Sequence, residues 1–360
     1  MALAVVSSLG VPRRLDTVQE ALDFEQEIVD QYLLASLGAG VDDTTIESDR
    51  AAIFEFARSL GRPLWTAGPE DADRFLSSQR KLGLAGNTVY GKAGRIGRLF
   101  DFMQLRYQGD IHTLTGCAVQ QPIDDFNRPS KPDYGQERIP PGDNEVAHLF
   151  ASWGACLPNA RKYLPAARNY MAASLWRRIG LRINESRMLD IRDWRPDLGD
   201  HGKLHVRFGK GSRRRGPKPR VVPGINSVDD LMKWWLTDVR HQFGDDWRNP
   251  DAPLLPSERR DPHTGMCRRV TDDPLRQGLV GAVKLWLPDW EERLTPHVLR
   301  HFCASSFYLS GMDLKAIQEI LGHEWLSTTT RYIHVRSDHI ESAWATANDR
   351  VSARLLGERK

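Results

Sequence analysis

The sequence predicts a mainly α-helical protein with one small antiparallel β-sheet. Apolar residues recur at helical spacing through most of the chain, one short basic segment alternates apolar and polar residues, and one proline-rich stretch interrupts the helical pattern. At 360 residues the chain is long enough for two domains. Its 40% hydrophobic and 27% charged residues are typical of folded globular proteins.

The first third of the chain is predicted to be entirely helical. Helical spacing of apolar residues occurs over 17–37, 44–59, 69–82 and 88–107. We interpret residues 1–40 as an N-terminal segment of uncertain role and residues 41–126 as a helical domain. Residues 127–141 hold four prolines and no apolar periodicity, which is typical of an interdomain linker.

The second predicted domain, residues 142–360, combines helices with a small sheet. A helix over 164–179 is predicted to end at Gly180, in the position where glycine commonly terminates helices. Alternating or β-branched segments then predict three strands, Ile191–Trp194, Lys203–Phe208 and Val221–Pro223. The segment GKGSRRRGPKPR would form the exposed, basic tip of the hairpin between the last two.

Charge is distributed unevenly along the chain. The net charge is only +3, but residues 161–220 hold 17 Lys or Arg against 5 Asp or Glu, a local excess of 17 − 5 = +12. An asymmetry of this size favours a phosphate-binding surface over an ordinary solvated face.

Other compositional features exclude several classes of protein. The four cysteines lie far apart and form no C-x-x-C pair, which argues against a disulfide framework and fits a reducing cytoplasm. No run approaches 18 apolar residues, so we predict no membrane span. The sequence has no G-x-x-x-x-G-K-[ST] loop, no paired-carboxylate metal motif and no G-x-G-x-x-G fingerprint.

The segment RLTPHVLRHF predicts a helix start suited to phosphate. Thr295 is a good N-cap and Pro296 stands at the first helical position, where its missing N–H costs nothing. His297 and Arg300 follow three residues apart, so we expect them to project from one face. A proton carrier and a guanidinium would then lie side by side at the positive end of a helix.

A second helix, Leu314–Leu321, is predicted to end at Gly322, with His323 immediately after it. Ser327 can cap a further short segment that carries Tyr332. Taken singly, each of these side chains is as compatible with capping or packing as with catalysis.

Taken together, the motifs resemble those of the tyrosine recombinase and phage integrase family. TPHVLRH matches H-x-x-R, and LGHEWLSTTTRYIHV matches L-G-H with a tyrosine nine residues on. Upstream, GLRINES resembles the first arginine box, and VRFGKGSRRRGPKPRVVP resembles a β-hairpin whose lysine follows a glycine. The resemblance covers about residues 142–360. It implies an α+β tyrosine-recombinase catalytic domain preceded by an all-α core-binding domain.

The resemblance assigns each motif a part in cutting a phosphodiester. Tyr332 is implied to attack phosphorus and form a 3′-phosphotyrosyl bond, and its phenol, of unperturbed pKa about 10, needs a proton acceptor such as His297. Arg182 and Arg300 are implied to hold the phosphate, for which a planar, permanently charged fork is well suited. His323 is implied to donate a hydrogen bond to the same phosphate.

The hairpin and its neighbours supply the remaining predicted functional residues. Lys210 is implied to protonate the leaving 5′ oxygen, with Lys218 as the alternative. Glu185 either orients His297 or is a simple carboxylate at a helix terminus. Contacts with the DNA backbone are predicted for five basic residues of the hairpin: Arg213, Arg214, Arg215, Lys218 and Arg220.

The implied function is that of a site-specific recombinase, most simply a mobile-element integrase, that requires no cofactor and no metal. The implied partners are double-stranded DNA with specific sites, three further copies of the chain and an accessory directionality factor; the copies would exchange an amphipathic C-terminal tail to form a tetramer. The implied location is the nucleoid in a bacterial cytoplasm. Two alternatives stay open: a type IB topoisomerase or telomere resolvase, and a catalytically silent DNA-binding regulator.

Overall fold

The computed structural model describes residues 14–15, 17–131, 139–209 and 218–322. These residues divide into two compact units, one up to residue 131 and the other from residue 139 onward. None of the helices in these ranges combines the length and the apolar character needed to cross a membrane. Lys210, Arg213, Arg214, Arg215, His323 and Tyr332 lie outside the described residues.

The described part of the first unit contains five α-helices. They are α1 (Val18–Gly38), α2 (Asp43–Leu60), α3 (Pro69–Lys81), α4 (Gly86–Arg106) and α5 (Gln108–Thr115). Helix α1 begins at a capping box, in which Thr17 accepts from the Glu20 amide and the Glu20 side chain accepts from the Thr17 amide. Its residues Ile28, Val29 and Tyr32 are buried in the same apolar core as α2 and α4. The helical unit therefore begins before residue 41, and the predicted boundary at residue 40 does not separate two structures.

The described part of the second unit contains seven further α-helices. They are α6 (Asp143–Cys156), α7 (Tyr163–Ile179), α8 (Ile183–Arg187), α9 (Val228–Trp234), α10 (Asp272–Trp286), α11 (Pro296–Leu309) and α12 (Leu314–Leu321). Helix α7 is central, since Met171, Leu175 and Trp176 are fully buried and the helix packs against α10 and α11. It ends at Gly180, whose φ of +63° is readily adopted by glycine.

The strands of this unit are short and antiparallel. Strands β1 (Trp194–Arg195), β2 (Lys203–Val206) and β3 (Arg220–Pro223) form one sheet in that order, and β2 and β3 are paired as the predicted hairpin. Strands β4 (Pro256–Arg260) and β5 (Cys267–Arg269) form a separate ribbon that the sequence did not predict, because their polar residues lack alternation. The predicted fold class, mainly α with small antiparallel sheets, is confirmed.

One predicted strand is wrong over most of its length. Residues Ile191–Asp193 form a 3-10 turn, and only Trp194 and Arg195 pair as a strand. The Asp193 carboxylate accepts from the Asp190 amide at 2.8 Å, which closes a turn across these residues. Aspartate readily bonds nearby backbone amides in this way, and the local turn prevails over the β propensity of Ile191.

Candidate active site

Helix α11 begins as the sequence predicts. The Thr295 hydroxyl accepts from the Val298 amide at 3.3 Å, and Pro296 occupies the first turn. The two functional side chains that follow do not share one environment, however. His297 is exposed, whereas Arg300 is buried with 1% of its surface exposed. The expectation that both project from one face is therefore corrected: the helix presents His297 outward and directs Arg300 into the domain.

Arg300 joins the ends of two helices. Its Nη1 donates to the carbonyl of Gly180, at the end of α7, and its Nη2 donates to the carbonyl of Leu321 at 2.6 Å, at the end of α12. Carbonyls at helix ends lack partners within the helix, so a guanidinium satisfies both of them at once. Glycine is favoured at position 180 by its positive φ, and a Cβ there would also displace the Leu321 side chain.

Glu185 lies at the centre of three arginines. Its Oε1 accepts from Arg182 Nη1 at 2.6 Å and from Arg220 Nη1 at 2.9 Å, and its Oε2 accepts from Arg220 Nη2 at 2.8 Å. Arg300 Nη1 is 3.9 Å from the same Oε2. The carboxylate also caps α8 by accepting from the Arg182 amide at 2.9 Å. We call these four residues the Glu185 cluster.

The Glu185 cluster carries a net positive charge, which favours the binding of an anion. Burial alone would raise the pKa of Glu185, but the hydrogen bonds and charge of Arg220, with the charges of Arg182 and Arg300, lower that pKa to about 2. Glu185 is thus ionised at neutral pH. Three guanidinium groups against one carboxylate leave 3 − 1 = 2 positive charges, a field suited to a phosphate diester.

Arg220 has a structural role that the sequence did not predict. Its guanidinium forms a two-point pair with Glu185, its Nε donates to the Ile320 carbonyl at 2.8 Å, and its side chain is only 9% exposed. The predicted contact of Arg220 with the DNA backbone stays a prediction. The side chain also packs on Gly322, where a Cβ would come within 2.8 Å of Arg220 Cδ. Arg220 and Arg300 together hold the carbonyls of Ile320 and Leu321, three and two residues before His323 in the sequence.

The base of the hairpin is defined up to Gly209 and again from Lys218. The Lys218 amide donates to the Gly209 carbonyl at 3.1 Å, so the two residues face each other across the hairpin. Gly209 is required there, because a Cβ would collide with the Lys218 carbonyl oxygen. Lys218 is exposed. Lys210, which follows Gly209 directly, falls beyond the described residues.

The family model described as "Phage integrase family" matches residues 157–339, which is 183 of the 360 residues. The chain belongs to the phage integrase family. All six predicted catalytic positions and Glu185 fall within the matched range. It is a tyrosine-type site-specific recombinase.

Individual relatives agree with this membership over most of the chain. The tyrosine recombinase XerC of Nitrobacter winogradskyi is 27% identical over 283 residues, covering 79% of this chain and 78% of that protein. The fold resembles that of the XerH site-specific recombinase bound to palindromic difH substrate, with a TM-score of 0.63 and 17% identity over 92% of this chain and 98% of that one. It also resembles the Tn1549 transposon integrase in complex with transposon right end DNA, with a TM-score of 0.61 and 17% identity over 89% and 99% of the two chains.

The structure of this recombinase brings together three motifs that the sequence shows only as separate boxes. Arg182 and Glu185 come from the first arginine box, Arg220 from the end of the hairpin, and Arg300 from the H-x-x-R helix. The place of Arg220 was missed because a basic residue in a basic hairpin resembles a surface residue. The signal that could have found it is Glu185, a carboxylate in a strongly basic stretch.

Replacing Glu185 by glutamine is expected to destabilise this recombinase by about 3 kcal/mol or more at pH 7, because three buried or half-buried arginines lose their counter-charge. The pKa of Glu185 is lowered in the folded chain, so its contribution is complete above pH about 4.5 and is lost as the pH falls toward about 2. The gap between the urea midpoints of wild type and variant should therefore narrow over that window. The matched control is Glu319→Gln, which removes an exposed pair with Lys315 and should change the midpoint little. A gap that stays constant from pH 7 to pH 3 would contradict this account.

Proposed function

We propose that this recombinase cuts and rejoins DNA at specific sites through a 3′-phosphotyrosyl intermediate on Tyr332. The observation that carries the proposal is the Glu185 cluster. It assembles guanidinium groups from three separate motifs and carries an excess of positive charge. It lies against the C-terminal end of α12, which His323 follows in the sequence. Such a preorganised cationic site is what the charge of a pentacoordinate phosphorus requires.

The proposed cleavage step conserves bonds and protons. The Tyr332 phenol oxygen attacks phosphorus as its proton passes to His297, and the bond between phosphorus and the 5′ oxygen breaks. Lys210 donates a proton to the departing oxygen, which leaves as a 5′ hydroxyl. The DNA then carries a 3′-phosphotyrosyl ester, and attack by a 5′ hydroxyl of another strand reverses the step without ATP.

The two arginines of the family pattern are proposed to act on the phosphate in different ways. Arg182 is the more accessible, with 23% of its side chain exposed. Its Nη1 donates to Glu185 Oε1 at 2.6 Å, which fixes the position of the guanidinium. Arg300 is anchored by the carbonyls of Gly180 and Leu321, which holds its charge at one place beneath the site. Fixed donors need no reorganisation during the reaction, and losing one typically costs about 3–4 kcal/mol of barrier.

Double-stranded DNA is the proposed substrate. Of the structures that share this fold, the Tn1549 integrase is described as a complex with transposon right end DNA and XerH as bound to palindromic difH substrate. Arg213, Arg214, Arg215 and Lys218 are proposed to contact the DNA backbone, a kind of contact that adds affinity and salt dependence but little sequence reading. We place this reaction in the bacterial cytoplasm, on the nucleoid.

The proposed assembly is a homotetramer on two duplexes. Ile340, Trp344, Ala347, Val351 and Leu355 recur near helical spacing in an otherwise polar C-terminal tail, which suits docking on a neighbouring copy. A mobile-element integrase, with an accessory directionality factor, is the proposed biological role.

Two other functions make different predictions. A type IB topoisomerase or telomere resolvase would share the chemistry, but a topoisomerase would relax supercoiled plasmid that lacks any specific site. A silent DNA-binding regulator would bind a site without covalent attachment. The spacing of nine residues from L-G-H to tyrosine and the presence of all six polar positions favour the recombinase over both.

The test is covalent trapping in EDTA. The purified protein is incubated with nicked suicide DNA from the flanks of its own gene, and with supercoiled plasmid that lacks those flanks. We expect a protease-sensitive protein–DNA adduct on the flanking DNA and no relaxation of the plasmid. Site-specific binding without an adduct would instead support the regulator, and relaxation of the plasmid would support the topoisomerase.

A further inference from the structure

A second group of charges lies at the base of the hairpin. Arg207 directly follows strand β2. Asp190 precedes the 3-10 turn that leads into β1, and Asp193 is the last residue of that turn. Arg269, at the end of β5, completes the group. We call these four residues the hairpin-base cluster.

Arg207 is held by a two-point interaction. Its Nε donates to Asp193 Oδ1 at 2.7 Å, and its Nη2 donates to Asp193 Oδ2 at 2.9 Å and also to Asp190 Oδ2. The Asp193 and Asp190 side chains are only 2% and 7% exposed. A bidentate guanidinium–carboxylate pair fixes orientation as well as distance, and its burial protects it from screening.

The hairpin-base cluster is connected to the helix that carries the phosphate site. Arg269 Nη2 donates to Asp190 Oδ1 at 2.5 Å, and Arg269 Nη1 donates to the carbonyls of Arg187 and Leu189 at 2.8 and 2.9 Å. These carbonyls lie at the end of α8. Because α8 is only five residues long and begins at the Glu185 cluster, one short helix links the two charge clusters.

The hairpin needs such an anchor because of its charge. Residues 207–219 contain six Lys or Arg and no Asp or Glu, and the Glu185 cluster, which includes Arg220, also carries net positive charge. Like charges would drive the hairpin away from the phosphate site when no DNA is present. The carboxylates of Asp190 and Asp193 hold the hairpin at Arg207, where it leaves β2, and Glu185 holds it at Arg220, where β3 begins.

We propose that Arg207, clamped by Asp193 and Asp190, is a positioning residue for the leaving-group acid Lys210. The inference rests on the proposed function, which makes Lys210 that acid. Lys210 follows Arg207 by three residues, through Phe208, whose ring lies 4.9 Å from the Arg207 guanidinium carbon, and through Gly209, which is locked against Lys218. Fixing Arg207 therefore fixes the direction in which the chain approaches Lys210.

The test compares two suicide substrates that differ in one atom. One is ordinary DNA and the other carries sulfur at the 5′-bridging position, a leaving group that needs little protonation. The measured quantity is the ratio of the sulfur cleavage rate to the oxygen cleavage rate. This ratio does not depend on how much of a preparation is folded, so a partly destabilised variant still gives an answer.

Loss of the acid should raise this ratio about 100-fold or more in Lys210→Ala. Misplacement of the acid should raise it about 10-fold or more in both Arg207→Gln and Asp193→Asn. The matched control is Arg195→Ala, which removes an exposed pair with Asp197 from the same sheet and should keep the wild-type ratio.

The outcomes separate this inference from the function on which it rests. A wild-type ratio in Arg207→Gln beside a raised ratio in Lys210→Ala overturns the positioning role and leaves the acid assignment in place. A raised ratio in Lys218→Ala with a wild-type ratio in Lys210→Ala assigns the acid to Lys218. It overturns both the assignment of Lys210 and the positioning role of Arg207. Wild-type ratios in both lysine variants overturn an acid on the hairpin altogether.

Discussion

Tyr332→Phe is expected to bind recombination-site DNA with unchanged affinity and to form no covalent complex. The substitution removes one oxygen, which is the proposed nucleophile, and the general acid and the arginines have no means of replacing it. Loss of a catalytic nucleophile in other enzymes costs about 10⁶-fold in rate, so residual cleavage should fall below detection. Binding is measured by gel shift and adduct formation by denaturing electrophoresis of the same samples.

The matched control for this prediction is Tyr163→Phe, at the first residue of α7. It also removes one phenol oxygen from the second unit, but it should leave adduct formation at the wild-type level. An adduct retained by Tyr332→Phe would place the nucleophile elsewhere in the chain.

Alanine substitutions of Arg182 and Arg300 are expected to have different effects on cleavage and on stability. Arg182→Ala should lower cleavage by about 100- to 1000-fold, the usual loss for one preorganised donor, with only a small change in the urea midpoint. Its side chain is 23% exposed, and Glu185 would keep Arg220 and Arg300 as partners. Cleavage rates on a suicide substrate and urea unfolding curves measure the two effects separately.

Arg300→Ala should lose both cleavage and stability. The side chain is 1% exposed, and its removal would leave the carbonyls of Gly180 and Leu321 without their donor inside the domain. Each buried carbonyl left without its donor costs about 1–3 kcal/mol of the free energy of unfolding. Arg300→Lys should also be impaired, because an ammonium cannot reproduce the planar fork that reaches both carbonyls. Near-normal cleavage by either alanine variant would contradict the role assigned to that arginine.

Local features of this recombinase could be predicted from the sequence because their physics is local. Thr295 and Pro296 start α11, Gly180 and Gly322 follow the ends of α7 and α12, and the strands on either side of the basic hairpin pair. Each of these depends on a cap, a backbone angle or a side-chain period within a few residues.

The arrangement of the site could not be predicted in the same way, because it depends on contacts between distant parts of the chain. Arg220 meets the carbonyl of Ile320 across 100 residues of sequence, and Arg300 meets that of Gly180 across 120. The spacing of apolar residues along the chain does not predict contacts between residues so far apart in sequence. The sequence of a basic segment does not distinguish a buried arginine from an exposed one, so the contacts of Arg220 with Glu185 and Ile320 were not predicted.

The Ile191–Trp194 strand was wrong for a related reason. Its apolar and aromatic residues favour a strand, but Asp190 and Asp193 are required to hold Arg207 and Arg269, and they close a turn in doing so. Local propensity was overridden by a charge cluster whose arginines come from later in the chain.

The most direct measurement is the identity of the residue joined to DNA. The covalent complex, trapped in EDTA, is digested with nuclease and trypsin and its peptides are analysed by mass spectrometry. Trypsin cuts after Arg331 and Arg336, so the account predicts the peptide YIHVR carrying a nucleotide through a 3′-phosphate on Tyr332. A nucleotide on any other peptide, or linkage through a 5′-phosphate, would contradict the proposed mechanism.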